Sequence, residues 1–178
     1  MNWQQVIFGF IEFFVSIFIS LTLIFLCYRL FLFITHKFDD ESQLLGENKA
    51  VGIVLGSVIL GEALVVKQAI YPVIAVVQIF ILGEERNPGN FLKMLGYGFG
   101  YILITAILAL VSILFSFWLF NKITPRLDHY EEIKKNNVAV ALFVGFFVVS
   151  IAILMSAGVS GLTKALIPFP TVGSVAIR

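Results

Sequence analysis

Glu62 lies inside a long apolar run, Ala50 to Leu82, in which Lys67 is the only other charged residue. A carboxyl group in such a place can take up and release a proton or hold a cation. At about 1.5 Å per helical residue it sits about 18 Å from Ala50, close to the middle of a bilayer. An ionised carboxylate at that depth costs at least about 2.5–3.5 kcal/mol. Glu62 must therefore face protein or water, find a partner, or carry its proton. Two readings follow: an ion or proton site inside an oligomer, or a protonated acid hydrogen-bonded to a neighbouring helix. Lys67 and Gln68 lie a turn and a half further along. Five residues separate Glu62 from Lys67, which is about 140° around a helix and aims the two apart. Glu12, at comparable depth in the first apolar run, is the better partner for Lys67. The plainer alternative is a lysine whose ammonium snorkels to the outer interface.

Arg29 falls about two turns from the end of the first run. It either snorkels or lines a site for an anionic ligand or lipid head group. Asn48 and Asn137 each stand where an apolar run begins, the place where an Asn side chain caps free backbone N–H groups for about 1 kcal/mol. Gly52 and Gly56 form a small-xxx-small pair, Gly145 is the counterpart of Gly56 later in the chain, and Gly158 and Gly161 come late in the last run. Small residues let helices approach closely in lipid, within a bundle or between copies.

Other chemistries lack their residues. His36 and His129 are isolated and lack metal-ligand spacing. Asp39, Asp40 and Glu41 lack calcium-loop spacing and read as a solvated turn. There is no phosphate loop, nucleophile elbow or paired catalytic carboxylates. No catalytic residue, metal or cofactor is expected, and the chain reads as a non-enzyme. Net charge is +1 with no polybasic arm, so nucleic acid is not an expected partner. Cys27 is the single cysteine, so no intrachain disulfide can form.

The elements that position these residues follow from composition. Of 178 residues, 60% are hydrophobic and 13% charged, too apolar for a shell that faces water. Charge gathers in three short stretches between long, nearly uncharged runs, which in lipid must pair their own backbone groups as helices. The expectation is an all-α polytopic membrane protein of four spans, about 6–35, 50–71, 95–120 and 138–162. The run from Ala50 to Leu82 is about 50 Å long against a hydrocarbon layer of about 30 Å. Pro72 is the expected break, leaving 72–82 as an apolar segment at the far membrane face. The tail 163–178, with Pro168 and Pro170, is expected at the membrane surface. Trp118 suits an interface belt.

A shift of 89 residues lays the chain on itself. Thr35 falls on Thr124, Asp39 on Asp128, Asn48 on Asn137, Ala50-Val51 on Ala139-Val140 and Gly56 on Gly145. The reading is two tandem two-helix units, 1–89 and 90–178. An even number of crossings per unit makes the repeats parallel rather than inverted. Ile151 and Ser156 replace Glu62 and Lys67 in the second unit, so the polar site is one-sided. The first and third loops hold Lys37, Lys49, Lys122, Arg126, Lys134 and Lys135. The positive-inside rule places these loops in the cytoplasm and both termini outside.

The segment Glu132-Ile133-Lys134-Lys135-Asn136-Asn137-Val138-Ala139-Val140-Ala141 resembles the signature of the YjfL-like bacterial inner-membrane family, and Glu47-Asn48-Lys49-Ala50-Val51-Gly52 is its first-unit counterpart. The family's usual Gly before the Asn is Glu47 in one unit and Asn136 in the other. The resemblance implies a duplicated two-helix domain of unknown function in a bacterial inner membrane, and no catalytic residues. Two functional expectations stand. One is a homo-oligomeric channel or transport component working at Glu62. The other is a membrane scaffold or stress-response partner docking a soluble protein on its cytoplasmic loops.

Overall fold

The computed structural model describes residues 3–35, 40–82 and 87–166. Six helices follow in order: α1 Trp3–Thr35, α2 Asp40–Leu45, α3 Lys49–Leu82, α4 Pro88–Ile123, α5 His129–Lys134 and α6 Val138–Leu166. Among the described residues there is no strand. Four helices are long and apolar enough to cross a membrane, and the chain is an all-α polytopic membrane protein. Their lengths of 29 to 36 residues correspond to about 44–54 Å at 1.5 Å per residue. They exceed the hydrocarbon layer, so they tilt or project beyond it.

Helix α3 is the centre of the bundle. It packs along α6, α4 and α1, while α4 also packs on α6. One apolar layer lies at the end where α3 and α6 begin, built on Phe31, Val54, Ile113, Phe120, Ile133 and Val144. A middle layer holds Leu23, Cys27, Val65, Val66, Ala109 and Ala152. The third, around Val73, Val76 and Tyr101, lies at the far end.

Four expectations about the elements are corrected. Helix α3 runs through Pro72 without a break. The proline removes one N–H and crowds the Gln68 carbonyl, but packing fixes the helix on both sides, through Val66 and Ala69 before it and Val73 and Val76 after it. Helix α4 begins seven residues earlier than the sequence suggests, at Pro88 rather than Leu95. Asn87 caps it by accepting from the Asn90 N–H at 2.8 Å, and Pro88 occupies the first turn, where its missing N–H costs nothing. The charged connections contain the short helices α2 and α5. The first four residues of the expected surface tail, 163–166, instead continue α6, and the rest of that tail lies outside the described residues.

Candidate functional site

Glu62 is on α3, 0% exposed. Neither of its carboxyl oxygens has a hydrogen-bond partner, and the Thr105 hydroxyl oxygen on α4 is buried in the same condition. The neighbouring Gly61 shows how closely the helices meet here. A Cβ added to it would lie 2.9 Å from Ile113 Cδ1 on α4 and 3.4 Å from the Ala152 Cβ on α6. Cys27 on α1 lies within electrostatic reach of Glu62, while its own thiol points at the Ala106 carbonyl, 3.8 Å away. A buried carboxyl without a donor or acceptor is costly in either charge state. It calls for a proton, a cation or a water to complete it.

The other polar residues of the spans do not converge on Glu62. Lys67 and Glu12 are exposed, as is Arg29, and Gln68 is half-buried. Among the described residues the ion pairs are Lys134–Glu131 at 3.8 Å and Lys135–Glu132 at 3.4 Å. A Glu12–Lys67 pair, the less plain of the two readings of Lys67, is not formed. Both side chains project from outer faces of the bundle, where the long aliphatic stem of Lys67 carries its charge toward the interface.

A second polar centre lies where α2 meets α3 and α5 meets α6. Asn48 caps α3 by accepting from the Val51 N–H at 3.0 Å. Its amide donates to Gln43 Oε1 at 2.8 Å and to the Ile133 and Lys134 carbonyls at 3.1 and 3.0 Å. Those two carbonyls are at the open end of α5. In return, the Asn136 side-chain oxygen accepts from the Ala50 N–H at 3.1 Å. The two junctions thus clasp each other. Asn137 caps α6 more loosely, accepting from the Val140 N–H at 3.3 Å and donating to Glu132 Oε2 at 2.8 Å.

The two junctions carry the same bonds 89 residues apart. Asn48 N–H donates to the Gln43 carbonyl and Asn137 N–H to that of Glu132; Glu47 N–H donates to Leu44 and Asn136 N–H to Ile133. Each pair is a Schellman closure, in which the residue after the helix turns left-handed. Glu47 has φ 56° and Asn136 φ 64°. These are the positions where the resemblance expected glycine, and the backbone shows why.

Of the glycines singled out, Gly145 makes the close approach. A Cβ there would collide with the Ser57 hydroxyl on α3. Gly52 would make ordinary contact with Leu44, at 3.6 Å, while Gly56, Gly158 and Gly161 face open space. Sequence reasoning missed Gly61, Gln43 and Asn136; only the glycine expected at 136 pointed to a special position.

A cleft of about 350 Å³ opens beside the clasp, lined by Ser42, Gln43, Asn48, Lys134, Lys135 and Asn136. Hydrogen bonds from Asn137 and Lys135 hold Glu132 below the usual carboxylate range. Nearby, Thr124 Oγ1 donates to the Phe120 carbonyl at 2.8 Å, so its oxygen accepts from His129 Nε2 at 3.0 Å. That leaves His129 Nδ1 buried and unpartnered. Burial pushes this imidazole below its ordinary pKa, with Asp128 partly opposing. Tyr130 is pushed up, by burial first and by Asp128 second. Among the described residues no group of three or more His, Cys, Asp or Glu side chains could hold a metal ion.

No curated protein and no solved structure matches the chain. The family model described as Domain of Unknown Function DUF350 matches residues 5–159 and residues 92–177. Four apolar membrane-length helices and a match over most of its length lead to one statement of kinship: the chain belongs to the DUF350 family.

Proposed function

We propose that this protein is a homo-oligomeric component of ion or proton movement across a bacterial inner membrane, with Glu62 as the group that handles the cation or proton. The reading takes both termini as lying outside the cytoplasm, and the chain as two copies of one unit of the YjfL-like kind. One observation carries it. A carboxyl group is fully buried at mid-helix and neither oxygen is satisfied. An intramembrane acid of that kind marks function more often than stability. The test is flux into liposomes holding the purified protein. The parent should conduct a cation or protons, and Glu62→Gln, which keeps shape and loses the titrating group, should stop it. Equal flux in both, or none in the parent, defeats the reading.

A second reading has its own support. Glu62 is wholly enclosed, whereas the open cleft lies at the clasped loop end beside Lys134 and Lys135. Such an end suits a scaffold that docks a soluble cytoplasmic protein. Photocrosslinking from residues 42–49 and 128–137 should then trap one dominant partner. A spread of unrelated products speaks against it.

A further inference from the structure

The two halves of the chain are not joined around a two-fold axis. A two-fold relation would match every contact from the first half to the second with its mirror. The structure shows the reverse. Helix α3 packs along α4, but α6 has no comparable packing on α1, the pair that a two-fold would equate with it. Gly145 is pressed on Ser57 and Ile53, yet its counterpart Gly56 meets nothing within 4 Å. Asn48 reaches the carbonyls that end α5, while Asn137 bonds only within its own half. The join is head-to-tail. A head-to-tail join of two like units leaves one unused head and one unused tail.

We propose that these unused halves bind each other between copies of this chain, so that protomers close into a ring by repeating the join already made within each one. The occupant follows the oligomer reading above; the contact itself follows from continuity with the internal interface and does not depend on what Glu62 does. Its residues come from applying the offset of 89 to the internal contacts. Gly145 against Ser57 and Ile53 becomes Gly56 of one copy against Phe146 and Leu142 of the next. Gly61 against Val148 becomes Ser150 against Ile59.

The surface fits this pairing. Phe146 is 70% exposed and Leu142 42%, opposite an open glycine. Ser150 and Ile59 are exposed as well. The clasp extends the pattern at the loop end. Ile133 is buried in the internal join, whereas its counterpart Leu44 is 47% exposed. Asn137 would reach the carbonyls of Leu44 and Leu45 in the next copy as Asn48 reaches Ile133 and Lys134. Lipid alone explains exposed apolar side chains. It does not explain why a bare glycine and a projecting phenylalanine occupy the two positions that the internal join equates. Heterologous contacts of this kind close into rings when the rotation permits.

Cysteine crosslinking in native membranes tests the direction of the join. In a Cys27→Ala background, Gly56→Cys and Phe146→Cys are placed on separately tagged chains and co-expressed. A Cβ at 56 meets nothing within 4 Å, and the separate tags tell a bond between chains from one within a chain. The expected product is a mixed covalent dimer, absent when either variant is alone. Both substitutions in one chain should give a ladder ending at a single size. Ile59→Cys with Ser150→Cys is an independent pair should Gly56→Cys disturb the helix. Like-with-like dimers from single variants would overturn the head-to-tail contact and leave the oligomer reading standing. A monomer by mass in lipid nanodiscs, with no crosslink from either pair, would overturn both, whatever the flux assay reports.

Discussion

Replacing Asn48 should destabilise the bundle far more than replacing Asn137, though both residues begin an apolar helix. Asn137→Ala removes a 3.3 Å cap and a bond to Glu132 within the same half; a lost cap costs about 1 kcal/mol. Asn48→Ala removes a 3.0 Å cap and also strips the Ile133 and Lys134 carbonyls of their donor. The side chain is 7% exposed, so water does not readily replace it. A buried acceptor left bare costs about 1–3 kcal/mol beyond the cap. The expected losses are about 2–4 kcal/mol for Asn48→Ala and about 1 kcal/mol for Asn137→Ala. Asn48→Ser separates the two parts, since a serine oxygen still caps but cannot reach as an amide donor. It should recover about 1 kcal/mol relative to alanine. The assay is reversible unfolding of monomeric protein in mixed detergent micelles, followed by circular dichroism. Equal losses for the two alanine variants, within about 0.5 kcal/mol, would refute the clasp as the source of the asymmetry.

Four further outcomes follow from the same geometry. Glu62→Met removes both unsatisfied oxygens and should raise stability in the same assay by about 1–3 kcal/mol while abolishing any flux; a loss of stability would mean that Glu62 is satisfied in the membrane. Glu47→Gly relieves a left-handed residue at φ 56° and should stabilise by about 0.5–1 kcal/mol, since the strain of about 1–2 kcal/mol exceeds the added chain entropy. Gly145→Ala should cost about 1–3 kcal/mol, because Ser57 occupies the space, whereas Gly158→Ala, facing open space, should be neutral or gain up to about 1 kcal/mol in the monomer. Stability should fall as pH drops below about 6.5, the ordinary histidine value, because burial holds the folded His129 below it and the unfolded chain takes the proton first; His129→Gln should flatten that slope, and an unchanged slope would assign it to another group.

What the sequence makes legible is what a single helix decides for itself. The presence of α1 and α6 and the caps at Asn48 and Asn137 depend on local apolarity and on a side chain beside its own backbone. Pro72 was misread because a proline's local penalty is offset by packing that lies on other helices. Helices α2 and α5 have six residues each, too few for periodicity to register, and they exist because the clasp and the Schellman closures hold their ends. The depth of Glu62 could be counted along the chain, but its enclosure could not. That depends on how far α3 is rotated against α1, α4 and α6. The glycines show the same limit: Gly56 and Gly145 each lie eight residues after a capping Asn, yet Gly145 is pressed on Ser57 and Gly56 is bare.

The clasp and the buried acid are parts of one arrangement. Helices in lipid gain little from apolar contact with one another, because lipid tails are equally apolar, so close packing and hydrogen bonds must set their register. In this bundle the bonds lie at one end, between Asn48 and the close of α5 and between Asn136 and the start of α3. They fix how far α3 is inserted relative to the second half. Three turns deeper, that insertion decides whether bare Gly61 lies opposite Ile113 and Ala152 or a bulkier residue does. A slip of one residue would rotate α3 by about 100° and shift it by about 1.5 Å. Glu62 would then leave the interior face. Enclosing this carboxyl is therefore a consequence of polar bonds made at Asn48 and Ala50, about three turns away, and not of the apolar run that contains it. Asn48→Ala should accordingly make a Cys reporter at Val65 or Val66, both buried beside Glu62 in the parent, open to water-soluble maleimide, while Asn137→Ala should leave them shielded. Labelling that is unchanged by Asn48→Ala would show that the middle layer holds its own register.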